Sequence, residues 1–502
     1  VDEGVTIGYT KDQDHIGSFA GELNGTIINC TSKADVYGKK CVGGIMPLVS
    51  VIMPSLNVGN YIEKCLTSVM NQSLKDIEII CIDAGSTDGT LEIIKKYAEL
   101  DQRIVVISSE VRSYGYQVNL GINSAKGKYI AILETDDYID SDMYRQLYEV
   151  AQRDNLDYVK ADFDTIYEYD SKHTGRHAFI VKDSIFQKGC NEQTGYNKVF
   201  SAKEYLQIFL KDMNVWSGIY KREFLNKYNI RFNESAGAAF QDIGFKMLVF
   251  TYADRIECID YSGYRYRMER DGCSSCNNNV LKYAYQEFKR LIEDICIDDT
   301  KTFKWVILRM VDVFICEYRK LITKTYNAFD VTFYKEYIAT YYNWFKNKLS
   351  YYISVGLVEQ ADLGAKKYND LLKLLEEEQE YREELINENI AKKDYWNKIT
   401  ARISDNPVVV VSYGAWGKNI LRNLIKSDYR VEAVCDNNPE LWNGLAGGII
   451  PIKAISETVD ANKDNNVVYI IANKKHGEEL KRQLLECGVN DKDVLILREA
   501  LS

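Results

Sequence analysis

One short segment of the chain, Glu134-Thr135-Asp136-Asp137, brings three carboxylates close together. Clustered carboxylates repel one another, and a divalent cation relieves this repulsion because hard cations prefer oxygen ligands. A cation held there could also bind diphosphate oxygens and neutralise a leaving nucleoside diphosphate. A solvated turn whose aspartates cap a helix is the alternative that these residues alone leave open.

The acidic segment follows an apolar run, Tyr129–Leu133, that predicts a buried strand. Similar runs at Val49–Met53, Ile77–Ile82 and Ile104–Ile107 alternate with stretches that have helical periodicity. This alternation indicates an α/β fold with a mostly parallel sheet flanked by helices. Ligands bind such sheets beyond the carboxyl ends of the strands, where Asp83 also lies. We therefore expect Asp83 and the acidic segment to converge on one site.

Apolar residues at helical spacing predict helices at Asn60–Val69, Leu91–Tyr97 and Gly115–Ala125, with Asp88 as the N-cap of the second. Further along, Leu371–Ile399 predicts one long amphipathic helix. We interpret this long helix as a spacer or an oligomer contact.

A second α/β module follows near the end of the sequence. The strand Val408–Val411, the glycines Gly414 and Gly417, a helix and a strand ending at Asp436 outline a dinucleotide-binding half. The glycine pattern is incomplete, however. Cofactor binding is therefore one alternative for this Rossmann-like module, and a role in contacts or regulation is the other.

The length of 502 residues suggests about three domains. We predict an N-terminal extension at 1–46, an α/β domain at 47–275, a helical region at 276–402 and a small Rossmann-like domain at 403–502.

The composition narrows the class of protein. With 63 Lys+Arg and 73 Asp+Glu, the formal net charge of −10 argues against a binder of nucleic-acid phosphates. No run of about 18 apolar residues predicts a membrane-spanning helix, and the N-terminal residues lack the features of a signal peptide. The 12 cysteines are scattered and read as thiols in a reducing compartment. These features predict a cytoplasmic protein.

Other groups that could bind a metal give weaker signals. Cys273 and Cys276 form a CxxC pair without a second pair, and His173 and His177 lack an evident third ligand. We predict free thiols and surface histidines at these positions.

Several motifs occur together, in order, in the first half of the chain. They are Val49–Asn57, Ser68–Ser73, Ile79–Gly89, Asn119–Gly121, Ala125–Ile130 and Glu134–Asp137, followed by Trp216–Leu225, Arg231–Glu234, Gln241–Phe245 and Tyr264–Arg267. In this combination residues 48–270 resemble the family 2 glycosyltransferases, which have the GT-A nucleotide-sugar fold. Each motif alone would be weak, but the combination is specific.

The resemblance implies an inverting hexosyltransferase that moves a sugar from a nucleotide-diphosphate donor to a hydroxyl acceptor. The family's general base corresponds to Asp242, although Gln241 replaces the glutamate that usually precedes it. The alternative for Asp242 is an N-cap before a helix at Ile243–Phe250. Asp136 and Asp137 correspond to its metal ligands, for Mn²⁺ or Mg²⁺. The implied nucleotide-sugar-binding residues are Pro54, Ser55, Asn57, Asp83, Gly85, Asn119, Glu134, Asp136, Trp216, Arg265 and Arg267.

Two departures from the family's pattern affect recognition of the base. Leu56 stands where the family often has a tyrosine that packs on the base, and Ala84 replaces an aspartate that typically binds uracil. UDP is therefore only the default nucleotide. These departures, together with Gln241, also motivate the alternative of a catalytically weak or inactive nucleotide-sugar-binding scaffold. Exposed strand residues are the alternative for Arg265 and Arg267.

The acceptor implied by the resemblance is a glycan, polysaccharide or glycoprotein, as in polysaccharide biosynthesis or protein glycosylation. The sequence also allows peripheral membrane association, and it allows a homo-oligomer that forms through the helical or C-terminal region.

Overall fold

The computed structural model describes residues 46–171, 175–183, 195–268, 279–295, 297–325 and 331–497. The predicted extension, apart from its last residue, lies outside the described residues, as do Cys273, Cys276 and His173. The chain forms two compact units. The first contains the residues up to Asp162 together with Ser184–Tyr264, and the second contains Phe163–Asp183 together with the residues from Arg265 on. The four segments predicted from the sequence, with their bounds, stay predictions.

The first half of the chain supplies a large mixed sheet and the helices that cover it. Its strands are β1 (Val49–Ser55), β2 (Ile77–Asp83), β3 (Ile104–Ser108), β4 (Tyr129–Ile132), β5 (Tyr138–Ile139), β6 (Tyr158–Ser171), β7 (Gly175–Asp183), β8 (Val199–Phe200), β9 (Gly218–Lys221) and β10 (Ile256–Met268). Its helices are α1 (Ile62–Met70), α2 (Thr90–Leu100), α3 (Tyr114–Ser124), α4 (Met143–Arg153), α5 (Leu206–Lys211), α6 (Arg222–Lys227) and α7 (Gln241–Tyr252). Strand β7 and the last parts of β6 and β10 belong to the second unit.

The strand order is β3-β2-β1-β4-β9-β6-β10-β5, with β7 paired to β6 and β8 paired to β10. Strands β3, β2, β1 and β4 run parallel, whereas β9 pairs antiparallel with both β4 and β6. Every residue of β1, β2 and β4 is buried, which explains their continuous apolar runs. The predicted α/β class is confirmed.

The register of the parallel strands brings the motif ends to one edge of the sheet. Ser55 at the end of β1 lies opposite Asp83 at the end of β2. Ile52 lies opposite Ile132, the last residue of β4. The acidic segment Glu134–Asp137 therefore begins just beyond the same carboxyl edge, as expected for ligand-binding residues of a parallel sheet.

Helices α1, α2 and α3 match the three predicted ones to within a few residues, with one difference at a cap. Gly89, with a φ of 92°, occupies the N-cap of α2, so the prediction of Asp88 there is wrong by one residue. Asp88 nevertheless serves the first turn, because its Oδ1 accepts hydrogen bonds from the backbone N–H of Thr90 at 3.1 Å and from its hydroxyl at 2.6 Å.

The second unit continues with helices and a smaller sheet. Its helices up to residue 403 are α8 (Val280–Lys289), α9 (Thr300–Thr325), α10 (Val331–Ser354), α11 (Gln360–Leu363), α12 (Ala365–Glu376) and α13 (Glu378–Ile403). Then follow β11 (Val408–Val411), α14 (Ala415–Lys426), β12 (Val431–Cys435), β13 (Leu445–Ala446), β14 (Ile450–Lys453), α15 (Ile455–Ala461), β15 (Val468–Ile471), α16 (Gly477–Glu486) and β16 (Val494–Ile496). Among the described residues, no helix is both long enough and apolar enough to span a membrane.

The single long helix predicted over Leu371–Ile399 is wrong, because α12 and α13 are separate helices that break at Glu377. The buried residues explain the break. Tyr381 follows Leu375 by six positions, and at ~100° per residue an unbroken helix would place the two side chains about 120° apart around its axis. The break lets both helices contact α9, where the rings of Tyr381 and Tyr318 lie 6.2 Å apart.

The smaller sheet has the order β13-β14-β12-β11-β15-β16, and the strands from β14 to β16 are parallel. This is the strand order of a doubly wound sheet. Gly417 is required at the start of α14, because a Cβ there would lie 1.9 Å from the carbonyl oxygen of Ser412. Asp436 accepts hydrogen bonds from the N–H groups of Tyr413, at 2.7 Å, and Asn438, at 2.8 Å.

Strand β7 and the part of β6 from Phe163 on belong to the same unit as this sheet, although they precede it by more than two hundred residues. Tyr167 is buried with Val408 and Val410, and its hydroxyl accepts a hydrogen bond from Arg422 at 2.9 Å. In β7, the N–H of Ile180 donates to the carbonyl of Gly447 at 3.1 Å.

A buried charge cluster fixes α7 in the first unit. Lys246 of α7 donates to Asp212 at 2.9 Å and to the hydroxyl of Tyr158 at 2.6 Å, and Lys160 of β6 pairs with the same aspartate. Burial holds the pKa of both ammonium groups well below the usual range. Asp212 therefore supplies the negative charge on which α7 and β6 depend.

We expect Asp212→Asn to lower the free energy of unfolding at pH 7 by about 3–5 kcal/mol, because it leaves buried ammonium groups without this counter-charge. A lysine whose pKa is lower in the folded than in the unfolded state makes stability rise with pH up to about 10.4. Because the uncharged lysines no longer need Asp212, the loss of unfolding free energy caused by Asp212→Asn should become smaller at alkaline pH. Urea unfolding at several pH values measures this effect.

Asp254→Asn is the matched control, since Asp254 pairs with Lys203 at 3.8 Å on the surface. This change should alter stability by less than about 1 kcal/mol. Equal stability of the two variants would contradict the role given to Asp212.

Candidate active site

The acidic segment after β4 forms a turn in which the N–H of Asp137 donates to the carbonyl of Glu134 at 3.0 Å. The hydroxyl of Thr135 donates to the carbonyl of Pro54 at 2.7 Å, which anchors the turn to the end of β1. Asp137 is fully buried, whereas Glu134 and Asp136 are half-buried. The turn therefore presents Glu134 and Asp136 toward solvent and holds Asp137 inside.

Two tyrosine hydroxyls serve the carboxylates of this turn. Tyr264 of β10 donates to Asp137 at 2.8 Å and accepts from the N–H of Glu134 at 3.3 Å. Tyr114 at the start of α3 donates to Glu134 at 2.5 Å. Burial, followed by the neighbouring carboxylates, raises the pKa of both phenols well above the usual range, so both remain donors. Sequence reasoning missed Tyr114 and the role of Tyr264, although Tyr264 lies in a motif that the sequence analysis used.

Trp216 lies beside this network. It is buried and stacks on Tyr264 with ring centroids 4.1 Å apart and an interplanar angle of 23°. The structure thus brings Trp216 together with the acidic turn through Tyr264.

The chemistry of the donor set suits a cation that is shared with a substrate. Among the described residues, no group of three or more His, Cys, Asp or Glu side chains could hold a metal by itself. Mg²⁺ commonly binds through one or two carboxylates together with waters and substrate phosphates. Asp136 and Glu134, which are half-buried, fit that arrangement better than the enclosed Asp137.

At the end of β1, Pro54 and Ser55 are buried, and their carbonyls accept hydrogen bonds from Thr135 and Ala84. Asn57 has a φ of 54° and accepts from the N–H of Thr87 at 2.9 Å. These residues connect the β1 end to the turn after β2.

Asp83 shapes the turn that follows β2. Its carboxylate accepts hydrogen bonds from the N–H groups of Gly85 at 2.9 Å and Ser86 at 3.0 Å, and from the Ser86 hydroxyl at 2.5 Å. Gly85 has a φ of 76°, a left-handed conformation that glycine adopts without strain. The folded protein itself thus uses much of the hydrogen-bonding capacity of Asp83.

Asn119 of α3 has a comparable internal role. Its amide nitrogen donates to the carbonyl of Phe232 at 3.0 Å and to Glu234 at 2.9 Å, and its oxygen accepts from the N–H of Phe232 at 2.9 Å. This side chain fixes the segment that leads to α7. A direct contact with the donor stays a prediction.

Asp242 is the second residue of α7, half-buried, and its Oδ1 accepts from the N–H of Ile243 at 2.9 Å. Phe240 occupies the N-cap position, so Asp242 is not the capping residue that was the alternative reading. The positive end of a helix favours negative charge on this carboxylate. Burial and Glu134, and then Asp242, raise the pKa of the Tyr114 phenol.

The two arginines from the last predicted motif lie in the second unit. Arg265 pairs with Asp164 at 3.0 Å, and Arg267 pairs with Glu168 at 3.3 Å. They are not simply exposed strand residues, since Arg267 is buried and Arg265 is half-buried. Their contact with a diphosphate stays a prediction.

We expect Tyr264→Phe to lower the free energy of unfolding by about 1–3 kcal/mol, because a buried carboxylate oxygen loses a donor. Tyr148→Phe is the control, since that hydroxyl makes only a 3.4 Å contact with Gln152, and a change within about 0.5 kcal/mol is expected. Urea unfolding compares the two, and equal stabilities would show that the Tyr264 hydroxyl does not support the turn.

Comparison with known proteins bears on the family of this chain. The family model "Glycosyl transferase family 2" matches residues 50–213. The uncharacterized glycosyltransferase EpsJ of Bacillus subtilis is 33% identical over 44% of this chain and 62% of its own length. The glycosyltransferase GlyG of Streptococcus pneumoniae is 31% identical over 44% of this chain and 70% of its own.

Among solved structures, S. aureus TarS 1–349 in complex with UDP-GlcNAc is 17% identical, with a TM-score of 0.43, over 70% of this chain and 92% of that one. The chain spans less than two thirds of the length of EpsJ. The sequence matches and the order of the motifs along the sheet edge lead to one conclusion: this chain belongs to the family 2 glycosyltransferases.

Proposed function

We propose that this protein transfers a hexose from a nucleotide-diphosphate sugar, with UDP as the default nucleotide, to a hydroxyl group of a glycan, a polysaccharide or a glycoprotein. Transfer inverts the anomeric carbon and uses Mn²⁺ or Mg²⁺. Membership of the family supports sugar transfer. The observation that carries the proposal is the acidic turn Glu134–Asp137 just beyond the carboxyl edge of the parallel strands, where the hydroxyls of Tyr114 and Tyr264 bond its carboxylates.

In this mechanism Asp242 accepts the proton of the acceptor hydroxyl. The acceptor oxygen forms a bond to the anomeric carbon from the face opposite the diphosphate. The bond between that carbon and the diphosphate oxygen breaks, and the nucleoside diphosphate leaves with the bonding electrons. Half-exposure and a position in the first turn of α7 make the Asp242 carboxylate accessible and favour its ionised form.

Asp136 and Glu134 would hold the divalent cation or the ribose, and a bound cation would neutralise charge on the diphosphate. The resemblance made Asp137 a metal ligand, and we propose instead that it supports the site from inside the turn. The burial of its carboxylate and its bond with Tyr264 support a role in holding the turn. The same proposal gives the helices α8–α13 and the smaller sheet a binding role. They bind either the acceptor or a second copy of the chain.

We expect Asp242→Asn to reduce kcat by about 10²–10⁴-fold, because the amide cannot accept the proton. The affinity for the donor, measured by calorimetry with UDP-sugars and Mn²⁺, should stay within about twofold. Asp254→Asn, at the far end of α7, is the surface control.

Full transfer by Asp242→Asn would overturn the proposed base. A chain that binds the donor but neither hydrolyses nor transfers it would instead support the scaffold alternative, which Leu56, Ala84 and Gln241 motivated.

Asp136→Asn and Asp137→Asn test which of the two aspartates binds the metal and which one holds the turn. We expect Asp136→Asn to raise the Mn²⁺ concentration for half-maximal activity by about tenfold with little loss of stability. Asp137→Asn should mainly lower the free energy of unfolding, by about 1–3 kcal/mol, because its buried hydrogen bonds are weakened. Mn²⁺ titration of activity and urea unfolding measure both quantities. The reverse pattern would make Asp137 the ligand.

A further inference from the structure

Gln241, the residue next to the proposed base, is 1% exposed and makes several hydrogen bonds. Its Oε1 accepts from the N–H of Ala239 at 2.7 Å. Its Nε2 lies within hydrogen-bond distance of the Ser235 carbonyl at 3.2 Å, the Ser235 hydroxyl at 3.0 Å and the Gly237 carbonyl at 3.2 Å. One side chain thus organises residues 235–239, here named the bridging loop.

The polarity of these partners requires an amide. The two carbonyl oxygens only accept hydrogen bonds, and a side-chain nitrogen can donate to both. An ionised glutamate could accept from Ala239 but would place its second oxygen against these carbonyls. Gln241 is therefore matched to the loop of this chain, although the family motif usually has glutamate here.

The bridging loop connects α7 to the acidic turn. The carbonyl of Gly237, which accepts from Gln241, also accepts from the N–H of Tyr114 at 3.0 Å. The N–H of Gly237 donates to the carbonyl of Arg112 at 3.0 Å, and its φ of 88° suits glycine. Tyr114 then bonds Glu134 at 2.5 Å.

We propose that Gln241 is a positioning residue for sugar transfer, whose amide fixes the bridging loop and thereby holds Asp242 in place relative to the acidic turn. This inference rests on the proposed function, because it needs Asp242 as the base. Gln241 itself is enclosed and acts through the loop and the helix end.

The distinguishing experiment is the pH dependence of kcat for Gln241→Glu. Burial and the adjacent Asp242 should bring protonation of the new carboxyl into the range of about pH 5.5 to 8.5. The protonated acid can donate one hydrogen bond to the loop, whereas the ionised form donates none. We expect kcat relative to the unaltered protein to be below about one-tenth at pH 8.5 and to rise about tenfold toward pH 5.5.

Gln72→Glu is a matched control in the same unit. Gln72 is fully buried, donates to the carbonyls of Ser68 and Asp140, and accepts from the N–H of Tyr144. The change introduces the same buried acid away from α7. Its kcat relative to the unaltered protein should not vary with pH while the protein remains folded, which thermal unfolding at each pH checks.

Gln241→Met gives a second variant without charge or hydrogen bonds. We expect a loss of kcat that is independent of pH, with KM for the donor unchanged. If Gln241→Glu does not fold, Gln241→Met is compared with Gln72→Met. A lower kcat at unchanged KM for Gln241→Met, with no such fall for Gln72→Met, supports the inference. An unchanged kcat for Gln241→Met overturns it.

The outcomes separate the inference from the proposed function. If Asp242→Asn is inactive but the relative kcat of Gln241→Glu is flat with pH, or matches that of Gln72→Glu, the positioning role is overturned while the base stands. If Asp242→Asn is fully active, the proposed function fails first.

Discussion

Electrostatic repulsion within the segment Glu134–Asp137 is the constraint around which the first unit is arranged. Asp137 in this segment is fully buried, so its carboxylate depends on partners within the protein. The hydroxyl of Tyr114 in α3 donates a hydrogen bond to Glu134, and that of Tyr264 in β10 donates one to Asp137. Because these hydroxyls come from elements far apart in the sequence, the acidic turn fixes the positions of both elements as well as its own.

Many residues of the family motifs contribute hydrogen bonds to the fold itself. Asp83 closes the turn after β2, Asn119 fixes the segment before α7, and Asn57 connects β1 to the residues after β2. Such internal bonds give the sheet edge a fixed shape before any ligand binds, and preorganised polar groups are effective in binding and catalysis. A motif residue can therefore serve the site by holding a loop.

The sequence predicted the strands and their common edge because buried parallel strands are continuous apolar runs that end in polar residues. It also placed Asp242 near the start of a helix. It could not predict the bonds of Tyr114 or Gln241, since these depend on contacts between distant segments and carry no local periodicity. The break at Glu377 was missed because the charged residues between Leu375 and Tyr381 hid a change of helical phase.

The hairpin β6–β7 has a consequence for biosynthesis. Tyr167 is bonded to a residue that lies 255 positions later, and at 5–20 residues per second the ribosome needs roughly 13–50 s to reach it. During that interval Tyr167 has been synthesised but lacks the residues of the smaller sheet that bury it. The second unit can thus complete its core only after the smaller sheet has been synthesised, and no single cut of the polypeptide yields both units intact.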